Sequence, residues 1–172
     1  MQLFFSRYFD NGMPTHFVEK IWAGFSLNDF LWNEYEGMWC TETYKENWPY
    51  EDDWWAPFMA HKPKLHTIRS DKSDRWKAGK PIHFFQWIGR PFRSKIYHFA
   101  PVIPCISVQK IKIECPSEYV NDQKVYVDDR LLTIKEIRRL AWNDGFNTSM
   151  QFLLWFNQNF EGKVIHWTDL KY

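Results

Sequence analysis

The chain has 172 residues with a formal net charge of +1 at pH 7, and 20% of its residues are aromatic. This length allows one domain with its own core plus an insertion, and no apolar run is long enough to span a membrane. The start, Met1–Arg7, lacks the apolar region of a signal peptide, and three cysteines without Cys-x-x-Cys spacing disfavour a zinc site or a disulfide framework. The sequence therefore predicts a cytoplasmic protein with no metal or other cofactor.

The first part of the chain predicts a strand followed by a helix. The run Leu3–Arg7 indicates a short strand, and Asn11-Gly12 indicates the turn after it. Thr15 is a suitable N-cap for a helix, apolar residues follow at helical spacing, and Gly24 is a suitable C-cap. We therefore expect a helix between Thr15 and Gly24.

Residues 33–60 lose this periodicity and carry four tryptophans among acids and prolines. From 32 to 58 the chain has seven acids and one base. Because disordered segments are poor in aromatic residues, we interpret the segment as an insertion that packs on the domain. Its acidic, Trp-rich surface leaves two further roles open, a protein partner or a gate over a basic cleft.

A Lys-x-x-Thr-x-Arg hexapeptide, Lys64–Arg69, opens a strongly basic part of the chain. Side chains alternate between the faces of a strand, so Thr67 and Arg69 should share a face, with Lys64 just before it. A hydroxyl and a guanidinium side by side, with an amine nearby, suit an anionic or carbonyl-bearing ligand. From 61 to 95 the chain has ten bases and two acids, which predicts a phosphate-binding surface. A solvated basic face is the open alternative.

Two kinds of residue in this region are candidates for binding RNA. Cations would bind the phosphate backbone, and tryptophans would stack on bases. Besides Lys64, the cations are Arg69, Lys72, Arg75 and Lys77, and the tryptophans are Trp76 and Trp87. The competing interpretation makes Thr67 an ordinary strand residue and places Arg69 in a surface salt bridge.

The remaining chain predicts strands and then helices. Strands are predicted over 82–88, 105–114, 125–127, 130–132 and 164–167. The second has a bulge, because its apolar face changes between Val108 and Ile111. Asp128-Asp129 forms a tight hairpin between the third and fourth. Two helices open with capping boxes at Thr133 and Thr148, and they end at Gly145 and Gly162.

This order of elements, without repeated strand–helix–strand units, predicts an α+β fold with a mainly antiparallel, barrel-like sheet. Several segments together resemble the ASCH domain of the PUA-like superfamily. They are Lys64–Arg69, Arg75–Gly79, Ile82–Phe85, Asn143–Phe146, Phe152–Phe156 and Gly162–Trp167. The resemblance covers roughly 1–30 and 61–172. It implies a single PUA-like domain over 1–172, a mainly antiparallel β-barrel with flanking helices and an insertion at about 33–60.

The resemblance also implies a function. Related proteins occur in bacteria and phages, and some small bacterial members are amidohydrolases that remove the acetyl group from N4-acetylcytidine. By this resemblance Thr67 is the nucleophile, Lys64 its base, and Asp144, where the family has Glu, orients Lys64 or transfers the proton to the leaving amine. Arg69 would bind phosphate or polarise the carbonyl.

No metal is required in this mechanism. The alternatives are a binding module for RNA or a modified nucleoside without catalysis, and a regulatory protein that uses the insertion. Catalysis requires Asp144 within hydrogen-bond reach of Lys64 and Thr67. His66 is expected to face away from Thr67.

Overall fold

The structure, a computed structural model, describes residues 1–25 and 61–172. The predicted insertion at about 33–60 therefore lies outside the described residues. The described residues form two compact units. Residues 2–25, 61–64 and 82–102 belong to the first unit, and residues 1, 65–81 and 103–172 belong to the second. That the whole chain is a single domain stays a prediction.

Nine strands and three helices are present in the described residues. In chain order the strands are β1 (Gln2–Phe5), β2 (His66–Arg69), β3 (Pro81–Trp87), β4 (Ile96–His98), β5 (Ile103–Pro104), β6 (Ser107–Glu114), β7 (Lys124–Val127), β8 (Arg130–Leu131) and β9 (Phe160–His166). The helices are α1 (Phe17–Phe25), α2 (Ile134–Asn143) and α3 (Ser149–Trp155), with a 3-10 turn at Val120–Asp122.

In the first unit, β3 pairs parallel with β1 and antiparallel with β4. Leu3, Phe5 and Phe84 lie on the buried face of this sheet. Two residues of α1 pack there: Phe17 contacts Phe5 and Phe25 contacts Phe84, with ring centroids 6.3 and 5.7 Å apart. The unit therefore has an aromatic core between one helix and one sheet face.

Two predicted ends in this unit are wrong by one or two residues. β1 ends at Phe5, because the next carbonyl, that of Ser6, accepts a hydrogen bond from the hydroxyl of Thr15 at 2.6 Å. That hydroxyl also accepts from the backbone N–H of Phe17 at 3.3 Å, where α1 begins. Gly24 lies inside α1 and is not its C-cap.

The second unit contains a five-stranded antiparallel sheet in the order β2-β9-β6-β7-β8. β6 and β9 pair in unbroken register through seven residue pairs, so the predicted bulge between Val108 and Ile111 is wrong. The buried face continues from Ile113 and Ile111 to a polar residue, Gln109. Its side-chain amide donates to the carboxylate of Asp128 at 2.9 Å, which explains how a glutamine occupies a core position.

β7 and β8 form the predicted hairpin. Its turn residues, Asp128 and Asp129, have φ angles of 48° and 63°. Positive φ at both central positions is the geometry of a type I′ turn, whose twist matches that of the strands. The carboxylate of Asp128 also accepts from the backbone N–H of Lys110 at 2.9 Å, so one side chain holds the turn against β6.

The ends of α2 are as predicted. Thr133 and Glu136 form a complete capping box, in which each side chain accepts a hydrogen bond from the other residue's backbone N–H. At the other end Gly145 has φ 88°, and the N–H of Phe146 donates to the carbonyl of Ala141 at 2.9 Å. This is a Schellman motif, which requires a left-handed residue at the glycine position.

Thr148 caps the start of α3 as predicted, but the rest of the predicted capping box and the predicted end at Gly162 are wrong. Thr148 accepts from the N–H of Gln151 at 3.0 Å, but the Gln151 side chain accepts from Asn147, so the second capping box is incomplete. Gly162 lies inside β9 and does not end the helix. A Cβ at Gly162 would lie 2.9 Å from the carbonyl carbon of Arg69, so the glycine is needed for close approach of the two backbones.

The fold is α+β with mostly antiparallel sheets, as predicted. In the described part of the chain no sheet closes into a barrel, so the predicted barrel is not shown. None of the helices within residues 1–25 and 61–172 is long and apolar enough to cross a membrane.

Candidate functional site

β2 carries two of the candidate residues at the end of the five-stranded sheet. Thr67 lies opposite Ile165 and Arg69 lies opposite Lys163 on β9. Because strand side chains alternate, Thr67 and Arg69 share a face, as predicted, and His66 points to the other face. Thr67 is only 2% exposed, and its hydroxyl makes no hydrogen bond to any described residue. β2 therefore combines a buried hydroxyl and a guanidinium on one face.

Arg69 is half-buried next to this hydroxyl. Burial lowers the pKa of its guanidinium, while the nearby carboxylate of Asp144 acts in the opposite direction. A guanidinium normally titrates above about 12, so Arg69 keeps its charge at neutral pH. Such a group donates paired hydrogen bonds to a phosphate or a carbonyl oxygen, which is the chemistry predicted for it.

Lys64 belongs to the first unit. It is 1% exposed, a rare position for lysine. Its Nζ lies 4.6 Å from the centroid of the Phe17 ring and 5.9 Å from that of Phe5, which are cation–π distances. Its backbone N–H donates to the carbonyl of Lys20 at 2.8 Å. Burial lowers the pKa of the Lys20 amine to about 8, against the effect of Glu19, so a second buried amine lies on α1.

Asp144 is the C-cap of α2 and is buried. Its Oδ1 lies 3.6 Å from Nδ1 of His66, which is fully buried. Since His66 and Thr67 point to opposite faces of β2, this contact lies on the face away from Thr67. The charge of Asp144 raises the pKa of Arg69 against the effect of burial, but no hydrogen bond joins Asp144 to Thr67 in the described part of the chain.

Tyr172 links His66 to α2. Its hydroxyl lies 2.7 Å from Nε2 of His66 and accepts a hydrogen bond from the side-chain amide of Asn143 at 2.9 Å. The phenol oxygen accepts from Asn143 and keeps one proton that it can donate to Nε2 of His66. Burial raises the pKa of Tyr172, so the hydroxyl stays protonated. This network fixes the His66 side of β2.

His166 lies opposite His66 on β9, with the two rings 5.3 Å apart. It is fully buried, and neither of its ring nitrogens has a hydrogen-bond partner among the described residues. Burial lowers the pKa of His166 to about 4, and the charge of Lys171 adds to this effect. His166 is therefore a neutral buried ring at physiological pH.

The loop after β2 carries much of the predicted basic surface, but its charges are largely paired. Asp71 accepts from the backbone N–H groups of Arg75 and Trp76 at 2.9 and 2.8 Å, and its carboxylate lies 3.6 Å from the Arg75 side chain. Lys77 pairs with Asp74 at 3.4 Å. Trp76 is 3% exposed, so its ring belongs to the core and its predicted stacking on a base would need a rearrangement.

Lys72 is a loop cation that lines an open groove. The groove has a volume of about 330 Å³ on the solvent face of the five-stranded sheet. Four lysines and three acids line it, together with Ile111, Tyr126 and Gly162: Lys72, Lys110, Lys112, Lys163, Asp71, Asp129 and Glu161. Lys72 and Lys110 form no ion pair within the described part of the chain, so the groove retains positive charge.

Trp87, the other predicted stacking residue, lies on β3 of the first unit and is half-buried. Its ring stacks on Phe4, with centroids 5.4 Å apart and planes inclined by 21°. The residues predicted as one ligand-binding set are thus divided between the units: Trp87 and Lys64 in the first, and the others in the second.

The sequence analysis predicted Lys72 but missed the three groove lysines on β6 and β9 and the network at Tyr172. Lys110 and Lys112 alternate with buried isoleucines along β6, a pattern that could have placed both on one solvent face. Tyr172 has no local signal, because its hydroxyl contacts His66 and Asn143, which are 106 and 29 residues away in the chain.

Comparison with protein-family models, curated proteins and solved structures gives no match for this chain. The resemblance to ASCH domains therefore stays a prediction. Within residues 1–25 and 61–172, no group of three or more His, Cys, Asp or Glu side chains is arranged to hold a metal ion.

Proposed function

We propose that this chain recognises RNA or a modified nucleobase through Thr67 and Arg69, and that it hydrolyses the amide of an N4-acylated cytidine. The observation that carries the proposal is the shared face of Thr67 and Arg69 on β2, where the Thr67 hydroxyl makes no hydrogen bond to a described residue. A hydroxyl that is not engaged in an internal hydrogen bond can donate to a ligand and accept from it. The guanidinium on the same face suits the oxygen of that ligand.

In the proposed reaction the hydroxyl of Thr67 attacks the acetyl carbonyl carbon, and Arg69 stabilises the negative charge that develops on its oxygen. The bond to the exocyclic N4 then breaks, N4 takes up a proton, and cytidine leaves. Water hydrolyses the acetyl ester on Thr67, which releases acetate and restores the hydroxyl. Lys64 accepts the Thr67 proton and delivers it to N4, and in this proposal the carboxylate of Asp144 orients Lys64.

The burial of the participating side chains supports this chemistry. Lys64, Thr67 and Asp144 are all buried polar residues, and buried ionisable groups are concentrated at functional sites. Asp144 is one methylene shorter than the glutamate of the family that the chain resembles. Because a misplacement of about 1 Å can cost roughly a hundredfold in rate, a slow enzyme is expected.

The proposal includes a PUA-like fold and a cytoplasmic location. The mostly antiparallel α+β arrangement supports the first. The two cysteines in the described residues, Cys105 and Cys115, are free thiols, which supports a reducing compartment.

A binding module without catalysis is the second candidate, and the lysine-lined groove favours it. Lys72 and Lys110 form no ion pair with any residue in 1–25 or 61–172, and a phosphate backbone is a suitable counter-ion. In this case Thr67 donates to a base edge and no bond is broken.

The test is chromatography of N4-acetylcytidine after incubation with the purified protein. We expect conversion to cytidine, loss of conversion in Thr67→Val, and retention in Thr67→Ser. Valine keeps the volume of the buried side chain and removes only the hydroxyl, so both variants should fold. Lys64→Met should also lose conversion, and Asp144→Glu should raise the rate.

Full activity of Thr67→Val would reject Thr67 as the nucleophile. If the parent protein gives no cytidine, equilibrium binding of N4-acetylcytidine and of a short RNA decides between the two candidates. Binding that weakens in Thr67→Val would support recognition alone. Absence of binding to either ligand would contradict the proposed function.

A further inference from the structure

The outer face of the sheet in the first unit is aromatic, although the face of a sheet turned away from the core normally carries polar residues. The residues of this aromatic face are Phe4, His83, Phe85, Trp87 and His98. All five are half-buried, and strand alternation places them opposite to the buried core residues of β1 and β3. Such a layer is not needed to fill the core, so it requires another explanation.

The rings of the aromatic face form a continuous layer. The ring of Phe4 lies 5.5 Å from that of Phe85 and 5.4 Å from that of Trp87, with planes inclined by 24° and 21°. Phe85 is also 5.0 Å from the ring of His98. Neighbouring aromatic rings on the surface of a sheet form a platform on which unpaired nucleobases stack.

Phe92 extends this layer beyond the end of β3. Its ring lies 5.3 Å from that of Trp87, yet the residue is 89% exposed and has φ 61°. A left-handed backbone is unfavourable for a bulky residue, and exposure of a large ring to water gives no stability. Both features oppose folding, and such unfavourable features are typical of residues kept for binding.

The loop that carries Phe92 is positively charged. Arg90, Arg93 and Lys95 are exposed, and no aspartate or glutamate occurs anywhere in residues 75–113. Among the ligands that bind aromatic surfaces, this charge selects a polyanion. The combination of stacking rings and cations without acids suits a chain of phosphates and bases.

We infer that the aromatic face and the loop after β3 bind single-stranded nucleic acid. Bases stack on Trp87 and Phe92, and phosphates pair with the three loop cations. A duplex hides the faces of its bases, so it cannot occupy the platform in this way. The inference rests on the proposed function for the choice of nucleic acid as ligand, and it adds a binding surface on the first unit.

Fluorescence anisotropy with labelled 12-nucleotide probes tests this inference on the full chain. The probes are oligouridine RNA, oligothymidine DNA and a DNA duplex of equal length. We expect at least one single strand to bind about tenfold or more tightly than the duplex. Phe92→Gly should weaken binding about fivefold or more, because one stacking ring is lost. The same change should raise the melting temperature, because glycine adopts φ 61° without strain.

Two controls separate this surface from general effects. Tyr119→Ala removes another aromatic side chain, 76% exposed and in the second unit, and should leave binding unchanged. Affinity falls as salt rises, and replacing all three loop cations by glutamine should make this fall less steep. The magnitude of the slope of log affinity against log salt should decrease by about 2. The same replacement at the exposed cations of α2, which are Lys135, Arg138 and Arg139, should lower it far less.

Three results would each overturn the inference: no binding of either single strand by the parent, equal affinity for single strand and duplex, or unchanged affinity in Phe92→Gly. A preference between the RNA and DNA probes shows which type of single-stranded nucleic acid is the ligand. Binding of either probe supports the inference. These assays contain no N4-acetylcytidine, so a failure of the proposed hydrolysis leaves their outcome intact.

Discussion

Buried His166 makes the stability of this protein sensitive to mild acid. In the folded chain its ring is surrounded by β2, β6 and Tyr172, and burial lowers its pKa from 6.5 to about 4. The unfolded chain therefore takes up a proton as the pH falls below 6.5, whereas the folded chain does not until about pH 4. The contribution of His166 to stability is complete above pH 6.5 and is lost as the pH falls towards 4.

The size of this loss of stability follows from the two pKa values of His166, 6.5 in the unfolded chain and about 4 in the folded chain. At about 1.4 kcal/mol per pH unit for one proton, the interval from 6.5 to about 4 corresponds to a loss of about 3 kcal/mol. This is a large part of the roughly 5–15 kcal/mol that stabilises a typical domain. We therefore expect a marked fall in unfolding free energy over this interval.

Urea titrations at several pH values between about 4 and 7.5 measure this effect. His166→Phe keeps a ring of similar size and cannot titrate, so the parent should lose up to about 3 kcal/mol more than the variant across the interval. Parallel curves for the parent and His166→Phe would refute the reasoning.

Three further changes test the fold. Gly162→Ala should cost about 1–3 kcal/mol, because the new Cβ would lie 2.9 Å from the carbonyl carbon of Arg69; an unchanged urea midpoint would contradict the close approach. Thr133→Ala should cost about 1 kcal/mol in the same assay, since the hydrogen bond from the Glu136 N–H is lost, and Thr133→Ser should restore it. Asp129→Gly should raise the melting temperature, because glycine adopts φ 63° more readily; a lower melting temperature would argue against the type I′ turn.

The elements that the sequence predicts well are those with local causes. The hairpin at Asp128-Asp129 and the Schellman motif at Gly145 are both encoded within a few residues of where they form. Gly162 was misassigned because a glycine after a helical run resembles a C-cap. Its true cause is the backbone of Arg69 on another strand, and no local pattern contains that information.

The bulge predicted in β6 has a similar explanation. A glutamine in an alternating strand is expected on the solvent face, so the sequence pattern predicts that the apolar side chains change faces at Gln109. The structure keeps the register and buries the amide, because Asp128 completes its hydrogen bonding from the turn of the next hairpin. The error came from treating polarity as exposure, when burial depends on whether a partner is available.

The candidate site was predictable in part. The shared face of Thr67 and Arg69 follows from strand alternation alone, and the structure confirms the strand. Which basic residues are left to bind a ligand was not predictable, since it depends on which carboxylates form ion pairs with them in the folded chain. Asp71 and Asp74 are only two acids in a basic run, but they pair with Arg75, Lys77 and Lys163 and so reduce the free charge of the loop.

Buried contacts anchor the His66 face of β2, and the proposed role of Thr67 depends on this anchoring. On one face His66 is held by Tyr172 and lies beside Asp144, so the position of the strand is fixed there by buried contacts. On the other face the hydroxyl of Thr67 has no partner among the described residues. A nucleophile must be held accurately while its reactive atom stays available, because small displacements cost large factors in rate. In the proposed reaction, the contacts of His66 would therefore keep the strand in place while the Thr67 hydroxyl attacks.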